Sequence, residues 1–395
     1  MAEDTDGVIV VGAGPVGVLN ALGLAKQGIP VTIVEREPTV VESPRAAVYH
    51  WAVLEGLDEL GVLEAGMREG FTKQDYQYVV WSTGERIRWS MAPLERVERF
   101  PFNLHLGQNT LAKIVLKELE AFDHASVRWN TRVVGVEQDD DGVTVSVEGP
   151  DGPERLRAAW VIGADGAGSA VRKSLGLEFE GMTWPERFVA TNVRFDFSTL
   201  DYAQANMQID SKYGAIIVKL DGEGLWRCTY MEDAALPEDS VRERMPAWFE
   251  VVLKGASDYD VVQYSPYRMH QRTAPTYRVG RVVLAGDAAH ATNPTGGYGL
   301  TSGLFDTYVL YPALGAVIHG RADESVLDEY SRLRRKVFLE VASPQASENK
   351  RVIYGDNDPE TKERDLERLR AMVADPDLLW QRLIFPRRLR TPSLV

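Results

Sequence analysis

Gly12, Gly14 and Gly17 stand at the spacing of a phosphate-cradling turn in VVGAGPVG, and Glu35 closes the following strand, PVTIVE. Gly12 permits the tight turn, Gly14 lets a pyrophosphate approach the backbone, and Gly17 lets the helix pack closely on the strand. Unpaired amides at the helix start face the anion, while the Glu35 carboxylate can accept hydrogen bonds from a ribose diol. Strand, turn, helix, strand and terminal acid occur in the order and spacing that an adenine-dinucleotide site needs; a purely structural βαβ unit is the competing reading. The acid disfavours a 2′-phosphate, so the adenosine of FAD or NAD suits this position better than that of NADPH.

Two later segments repeat the arrangement of an apolar strand stopped at a turn. VIGADGAGSAVR, residues 161–172, places Asp165 and Gly166 at the turn and Ser169 and Arg172 on the turn and helix after it. An Asp-Gly pair also has a plain explanation as a loop former. VVLAGDAAH, residues 282–290, ends a strand at Gly286 and Asp287, whose carboxylate could accept a sugar hydroxyl beside phosphate-facing amides. PTGGYGLTSGLFD then supplies Gly297 and Gly299 where backbone can approach a flat or charged ligand. Glycine turns this far apart imply one long ligand and a fold that brings distant loops together.

The elements that must position these turns are legible. VIVVG reads as a buried strand, and Val16, Leu19, Leu22 and Leu24 continue as a helix. AVLEGLDELGVLEAG and NTLAKIVLKELEAF carry apolar residues at helical spacing, while TKQDYQYVVWSTGERIRWS alternates bulky and polar residues around a turn and reads as a hairpin. Between about 183 and 275, strand-like alternation rich in aromatic and β-branched residues replaces the glycine turns.

The 395 residues carry 58 acidic and 44 basic side chains, a net charge of −14 that argues against a nucleic-acid partner. Cys228 is the single cysteine, so redox chemistry must come from a bound cofactor rather than a cysteine pair. The six histidines, His50, His105, His124, His270, His290 and His319, show no metal-ligand spacing, and no metal site is expected. No stretch approaches the roughly 20 apolar residues of a membrane span. The acidic opening MAEDTDG lacks the basic start of a secretory signal, so a cytoplasmic location is expected.

GAGPVG with Glu35, ADGAGSAVR and AGDAAHATNPTGGYGL, in that order, resemble the single-component flavoprotein aromatic hydroxylases of the para-hydroxybenzoate hydroxylase class, from residue 8 to about residue 310. LGQN, YRMHQR and GDAAHATNP resemble the para-nitrophenol 4-monooxygenase subgroup. The resemblance implies that Gly12, Gly14, Pro15, Gly17, Glu35 and Arg36 lie at the adenosine and pyrophosphate end of FAD, with Arg45, Gln108 and Asp165 as further contacts. It places Asp287 at the ribityl-pyrophosphate region and Gly297, Gly299, Leu300 and Thr301 beside the isoalloxazine. Many relatives have asparagine after the glycine-rich loop; Leu300 and Thr301 stand here, which weakens a side-chain assignment but leaves the backbone free to bind the flavin.

The fold implied is α/β: a Rossmann-like FAD-binding domain in three parts (1–75, 98–182, 276–345), a substrate-pocket hairpin (76–97), a mixed-sheet substrate domain (183–275) and a C-terminal helical region (346–395), a packed tail rather than a catalytic module. The activity implied is NAD(P)H-dependent hydroxylation of a small phenolic or heteroaromatic ring. NADH or NADPH reduces FAD, dioxygen is the cosubstrate, and a flavin C4a-hydroperoxide transfers oxygen to the deprotonated phenol. The subgroup resemblance implies para-nitrophenol going to benzoquinone with release of nitrite. His290, Asn293 and Pro294 are the catalytic candidates, His290 either relaying a proton or holding the flavin loop. Arg227, Tyr230, Tyr267 and His270 are candidates for holding a phenolate, each with a plain alternative in surface pairing, core filling or turn capping. Competing functions are another phenol or hydroxypyridine hydroxylase, a flavoprotein dehydrogenase or reductase without oxygen insertion, and an FAD-binding regulatory protein. A homo-oligomer is compatible with all of them.

Overall fold

A computed structural model describes residues 3–42 and 47–395, so Arg45 lies outside the described residues. The strand Glu3–Val11 runs through the middle of an eight-stranded sheet, with Val8, Ile9, Val10 and Val11 all buried. Such a continuous apolar run, rather than alternation, is what a strand covered on both faces requires. Its neighbours are parallel: Val31–Val34 on one side, with Ile33 opposite Val10, and Gly152–Gly163 on the other, with Ile162 opposite Val10. Val282–Leu284 extends the sheet parallel to Gly152–Gly163, and Ala125–Arg128 extends it beyond Val31–Val34. The turns at Gly12, Asp165 and Gly286 therefore leave the carboxyl ends of three adjacent parallel strands, the edge where open α/β sheets bind ligands. Helix Pro15–Ala25 packs against helix Tyr298–Ile318, and Asn20 Nδ2 donates to Thr307 Oγ1 at 3.0 Å across that contact.

A second eight-stranded sheet is mixed: Ala205–Ile209 lies parallel to Asp75–Val80, and its other neighbouring pairs are antiparallel. Asp75–Val80 and Arg86–Ser90 form a hairpin at its edge. One face is sealed by helix Val241–Val252, where Trp248 and Phe249 meet Trp226, Cys228 and Tyr230. The strand Glu180–Arg194 pairs Thr183 with His270, so a boundary at residue 183 falls inside a hydrogen-bonded strand and no linker separates the layers there. Asn103–His105 forms the centre of a small third sheet between Val48–Tyr49 and Phe71–Lys73.

Helices Ser343–Tyr354, Pro359–Ala374 and Pro376–Ile384 follow, the last two capped by Asp358 and Asp375, whose carboxylates accept from Thr361 N and Asp377 N. Tyr354 donates its hydroxyl to the Thr229 carbonyl at 3.1 Å, tying these helices to the second sheet. Among the described residues no helix is long and apolar enough to cross a membrane, and no three His, Cys, Asp or Glu side chains are grouped to hold a metal ion.

Candidate active site

Gly12 adopts φ +106°, a backbone shape L side chains resist, and the turn it makes presents Gly14 at the start of helix Pro15–Ala25. A Cβ at Gly14 would meet nothing within 4 Å, whereas one at Gly17 would stand 2.0 Å from the Gly12 carbonyl oxygen. The first glycine of that pair leaves room for a ligand; the second lets the helix touch the turn. Glu35 fixes the turn from the neighbouring strand, its carboxylate accepting from Ala13 N at 2.8 Å and from Glu37 N at 3.0 Å. Arg36, by contrast, is exposed and pairs with Glu37 at 3.1 Å.

The later turns spend their side chains locally. Asp165 accepts from Ser169 Oγ at 2.5 Å and from Ala170 N at 2.6 Å, so it caps the short helix Ala170–Ser174 rather than reaching outward. Burial raises its carboxyl above the ordinary range. Arg172 stitches two loops together by donating to the Ala288 and Ala167 carbonyls, both at 2.8 Å. Gly297, at φ +73°, opens helix Tyr298–Ile318, and the Thr301 hydroxyl donates to its carbonyl at 2.8 Å. Thr301 is thus occupied within its own helix, its N–H donating to the same carbonyl at 3.3 Å, and it does not line the space beside the loop. His50 Nε2 lies 2.7 Å from the Gly296 carbonyl oxygen and its ring stacks on Tyr298, which pins the loop from the other side.

A single cavity of about 1230 Å³ joins these parts, larger than the roughly 300–1,000 Å³ of an ordinary small-molecule pocket. At one end it is lined by Gly14, Pro15, Gln108 and Asp287, and along its wall by Pro294, Gly297, Gly299 and Leu300. Arg227, Tyr267 and His270 line the same space from the second sheet. Arg227 is buried and its Nε donates to Asn192 Oδ1 at 3.0 Å; burial lowers its pKa to about 10. His270 shares a 2.9 Å contact between Nδ1 and Thr183 Oγ1, and burial, followed by the charge of Arg272, lowers its pKa.

Three further expected site residues are placed away from the cavity. Tyr230 faces the opposite side of the sheet and stacks on Trp248 with ring centroids 4.4 Å apart. Side chains alternate along a strand, so Arg227 and Tyr230, three residues apart, cannot share a face. His290 is fully buried, with Nε2 2.7 Å from Asp306 Oδ2 and its ring stacked on Phe338. It holds the loop and does not reach the cavity. Asn293 is likewise buried, bonded to Gln271 Oε1 at 3.1 Å and accepting from Thr295 N at 3.1 Å, a brace for Pro294 rather than a cavity wall.

Comparison with known proteins decides what this arrangement belongs to. A family model described as an FAD binding domain matches residues 5–343. The chain is 44% identical over 385 residues to a 6-hydroxy-3-succinoylpyridine 3-monooxygenase of Pseudomonas putida, covering 97% of this chain and 98% of that one. It is 47% identical over 353 residues to a para-nitrophenol 4-monooxygenase of a Pseudomonas species, covering 88% and 87%. The chain belongs to the single-component FAD-dependent aromatic hydroxylases. A crystal structure of a p-nitrophenol 4-monooxygenase from Pseudomonas putida matches this hydroxylase with a TM-score of 0.95 at 42% identity, covering 99% of this chain and 100% of that one. An aklavinone-11 hydroxylase solved with FAD and aklavinone matches with a TM-score of 0.78 at 28% identity, covering 90% and 70%.

The hydroxylase has a cradle that fits FAD: open space at Gly14 and two helix starts that meet one cavity of about 1230 Å³. Sequence reasoning missed several of its walls. His105, Tyr76 and Asn103 come from the third sheet and the hairpin, with Asn103 Nδ2 donating to the Tyr76 hydroxyl at 2.6 Å. The helical tail is not merely packing, since Gln345, Asn349 and Arg382 line the cavity and Arg382 Nη1 reaches within 3.5 Å of the Tyr298 hydroxyl. A packed helical tail was expected there; that it looks onto a cavity depends on contacts across the fold.

Proposed function

We propose that this hydroxylase uses NADH or NADPH and dioxygen to hydroxylate a small phenol, with para-nitrophenol, converted to benzoquinone with loss of nitrite, as the first candidate. The observation that carries the reading is the continuity of the cavity: the glycine cradle and a chamber lined by Arg227, Tyr267 and His270 are one space. The 47% identity to a para-nitrophenol 4-monooxygenase supports the substrate. A hydroxypyridine is the second reading, supported by the 44% identity to the succinoylpyridine enzyme and by Arg382, a guanidinium suited to a carboxylate substituent.

Bound FAD supplies the two-electron and oxygen chemistry that amino-acid side chains lack. The chain's own part is positional and electrostatic. The first amides of helix Tyr298–Ile318 have no partners within the helix, and its positive end would favour negative charge on a bound flavin. Pro294 and the His50-pinned Gly296 carbonyl shape the loop that lines the cavity where the flavin ring would be held. Arg227 and Tyr267 offer charge and a hydroxyl to a phenolate, while the surrounding apolar walls exclude water that would waste the reactive oxygen. Glu35 would hold the ribose diol with the lone pairs that the Ala13 and Glu37 amides leave free. Glu35→Gln, which keeps size but loses charge, is expected to raise the FAD dissociation constant about 10-fold, since a charged hydrogen bond is worth roughly 1.5 kcal/mol. A flavin-fluorescence titration reads this, and an unchanged constant removes Glu35 from the ribose.

The test is an aerobic panel of 4-nitrophenol, 4-nitrocatechol and hydroxypyridines, following NADH or NADPH loss, nitrite, peroxide and product. Incorporation of one atom of labelled dioxygen into a ring product is the expected result. Reductant loss that yields only peroxide marks a compound as an effector, and no incorporation with any member of the panel overturns the reading.

A further inference from the structure

The cavity meets solvent at two places, marked by those of its wall residues that are also exposed. Gly14, Asp287 and Arg268 stand at one, beside the glycine cradle. Arg368, Leu378, Gln381, Arg387 and Arg388 stand at the other, all of them on the helical tail. FAD held by the cradle would fill the first place and leave the second open to a small ring. Helix Pro376–Ile384 carries Leu378 and Gln381 to this second mouth, and the turn Phe385–Leu389 after it carries Arg387 and Arg388. From Gln381 to Val395 the chain has four arginines and no acidic side chain, within a molecule whose net charge of −14 repels anions elsewhere.

Pairing decides which of these charges remain available. Arg368 meets Glu348 at 2.8 Å and Asp365 at 3.3 Å, and Arg387 meets Glu98, so both are neutralised where they stand. Arg388 has no carboxylate partner among the described residues, and its guanidinium lies 5.4 Å from the centre of the Phe385 ring. Arg382 follows Gln381 but is partly buried on the cavity wall, again without a carboxylate partner among the described residues. Its Nη1 is within 3.5 Å of the Tyr298 hydroxyl, and its charge acts on His50 and Tyr76, both of them cavity walls. Leu383 and Phe385, which stand between the two arginines in sequence, line the same wall. A guanidinium withdrawn from water and left unpaired favours an anionic ligand, and its planar fork suits a carboxylate or a phenolate oxygen.

We propose that the tail mouth is the entrance for the aromatic substrate and admits it as an anion, with Arg388 drawing a phenolate or ring carboxylate to the rim and Arg382 holding it inside. The two uncompensated guanidinium groups mark an approach that attracts such an ion to a protein that is negative overall. Arg388, exposed at the rim, acts on the encounter; Arg382, partly buried, acts on how long the ring stays. The apolar wall between them receives the ring itself. The path rests on the hydroxylase reading above for the kind of ring admitted, and deepens it by naming the charge the ring carries on arrival.

The test is stopped-flow binding to oxidised, FAD-loaded enzyme, followed by flavin absorbance, of two anions, 4-nitrophenolate and 6-hydroxynicotinate, and of phenol, which stays neutral because such hydroxyls titrate near about 10. Each is measured at low salt and at about 1 M salt, where charges are screened beyond roughly 3 Å. Wild-type association with the anions is expected to slow as salt rises, a result that needs no variant. Arg388→Glu is expected to slow it at least about tenfold at low salt, to lose that effect at high salt, and to leave phenol unaffected. Arg242→Glu makes the same change of charge on helix Val241–Val252, across the second sheet from the cavity, and is expected to alter these rates by less than about twofold. Arg382→Gln is expected to speed dissociation of the anions about tenfold. Flavin content and melting temperature check the fold of each variant. Anion association that ignores salt, or that falls equally in Arg242→Glu and Arg388→Glu, overturns the path and leaves the hydroxylase reading intact. Steered binding without oxygen incorporation overturns the hydroxylase reading alone, and a wild type that binds none of the three rings overturns both.

Discussion

Asp306→Ala is expected to destabilise the protein by about 3–5 kcal/mol, the cost of leaving one member of a buried ion pair without its partner. Asp306 is fully buried, with Oδ1 accepting from Arg334 Nε at 2.7 Å and Oδ2 lying 2.7 Å from His290 Nε2 and 2.9 Å from Gly286 N. Arg334, about 1% exposed, also donates to the Leu389 carbonyl at 2.7 Å and to the Ser302 carbonyl at 3.1 Å. One carboxylate therefore joins the Gly286 turn, the long helix Tyr298–Ile318, the helix Ser325–Val337 and the tail. Chemical denaturation of variant and wild type measures the loss. The double variant Asp306→Ala with Arg334→Met should recover part of it, because the stranded guanidinium goes too. A shift below about 0.5 kcal/mol, the size of an ordinary surface substitution, would refute the assignment.

The same carboxylate gives a pH dependence of definite sign. Burial alone would raise its pKa, but His290 and Arg334 outweigh that effect and hold it at about 2. An unfolded aspartate titrates near 3.9. Its contribution is complete above that ordinary value and is lost as pH falls through the folded one.

Gly17→Val is expected to yield protein that retains no FAD. Its first added carbon would stand 2.0 Å from the Gly12 carbonyl, a backbone atom that can move only if the turn opens. The helix start then loses its aim at the pyrophosphate. Gly14→Ala supplies the contrast: nothing lies within 4 Å of its added methyl and its φ is −72°, so the fold should persist while the methyl occupies ligand space. The flavin-to-protein ratio after purification, read beside the melting temperature, separates the two. Stoichiometric FAD in Gly17→Val would show that the turn does not hold the cofactor.

The glycine turn of the proposed cradle was legible because its geometry is local. Gly12, Gly14, Gly17 and Glu35 lie within one strand-turn-helix-strand unit, and spacing alone brings them together. Pro294, Gly297 and Gly299 were legible for the same reason. The chamber was only partly so. Arg227 and Tyr267 were read as facing the substrate, yet Tyr230 was grouped with them against the two-residue period of its own strand. His290 stands in a recognisable motif, but its partner Asp306 lies on the next helix and Arg334 on the one after, so its structural role becomes visible only when these helices pack. His105 and Arg382 carry no motif, because cross-strand register and the docking of the tail bring them to the cavity.

The sole thiol of the chain, Cys228, is shut between the second sheet and helix Val241–Val252, whereas Met91, Met207, Met269 and Met372 line the chamber. Any peroxide released into the chamber would meet thioethers first. Oxidative wear of this enzyme should therefore accumulate as sulfoxide, which methionine sulfoxide reductases reverse, and spare the one sulfur whose higher oxidation states cannot be undone.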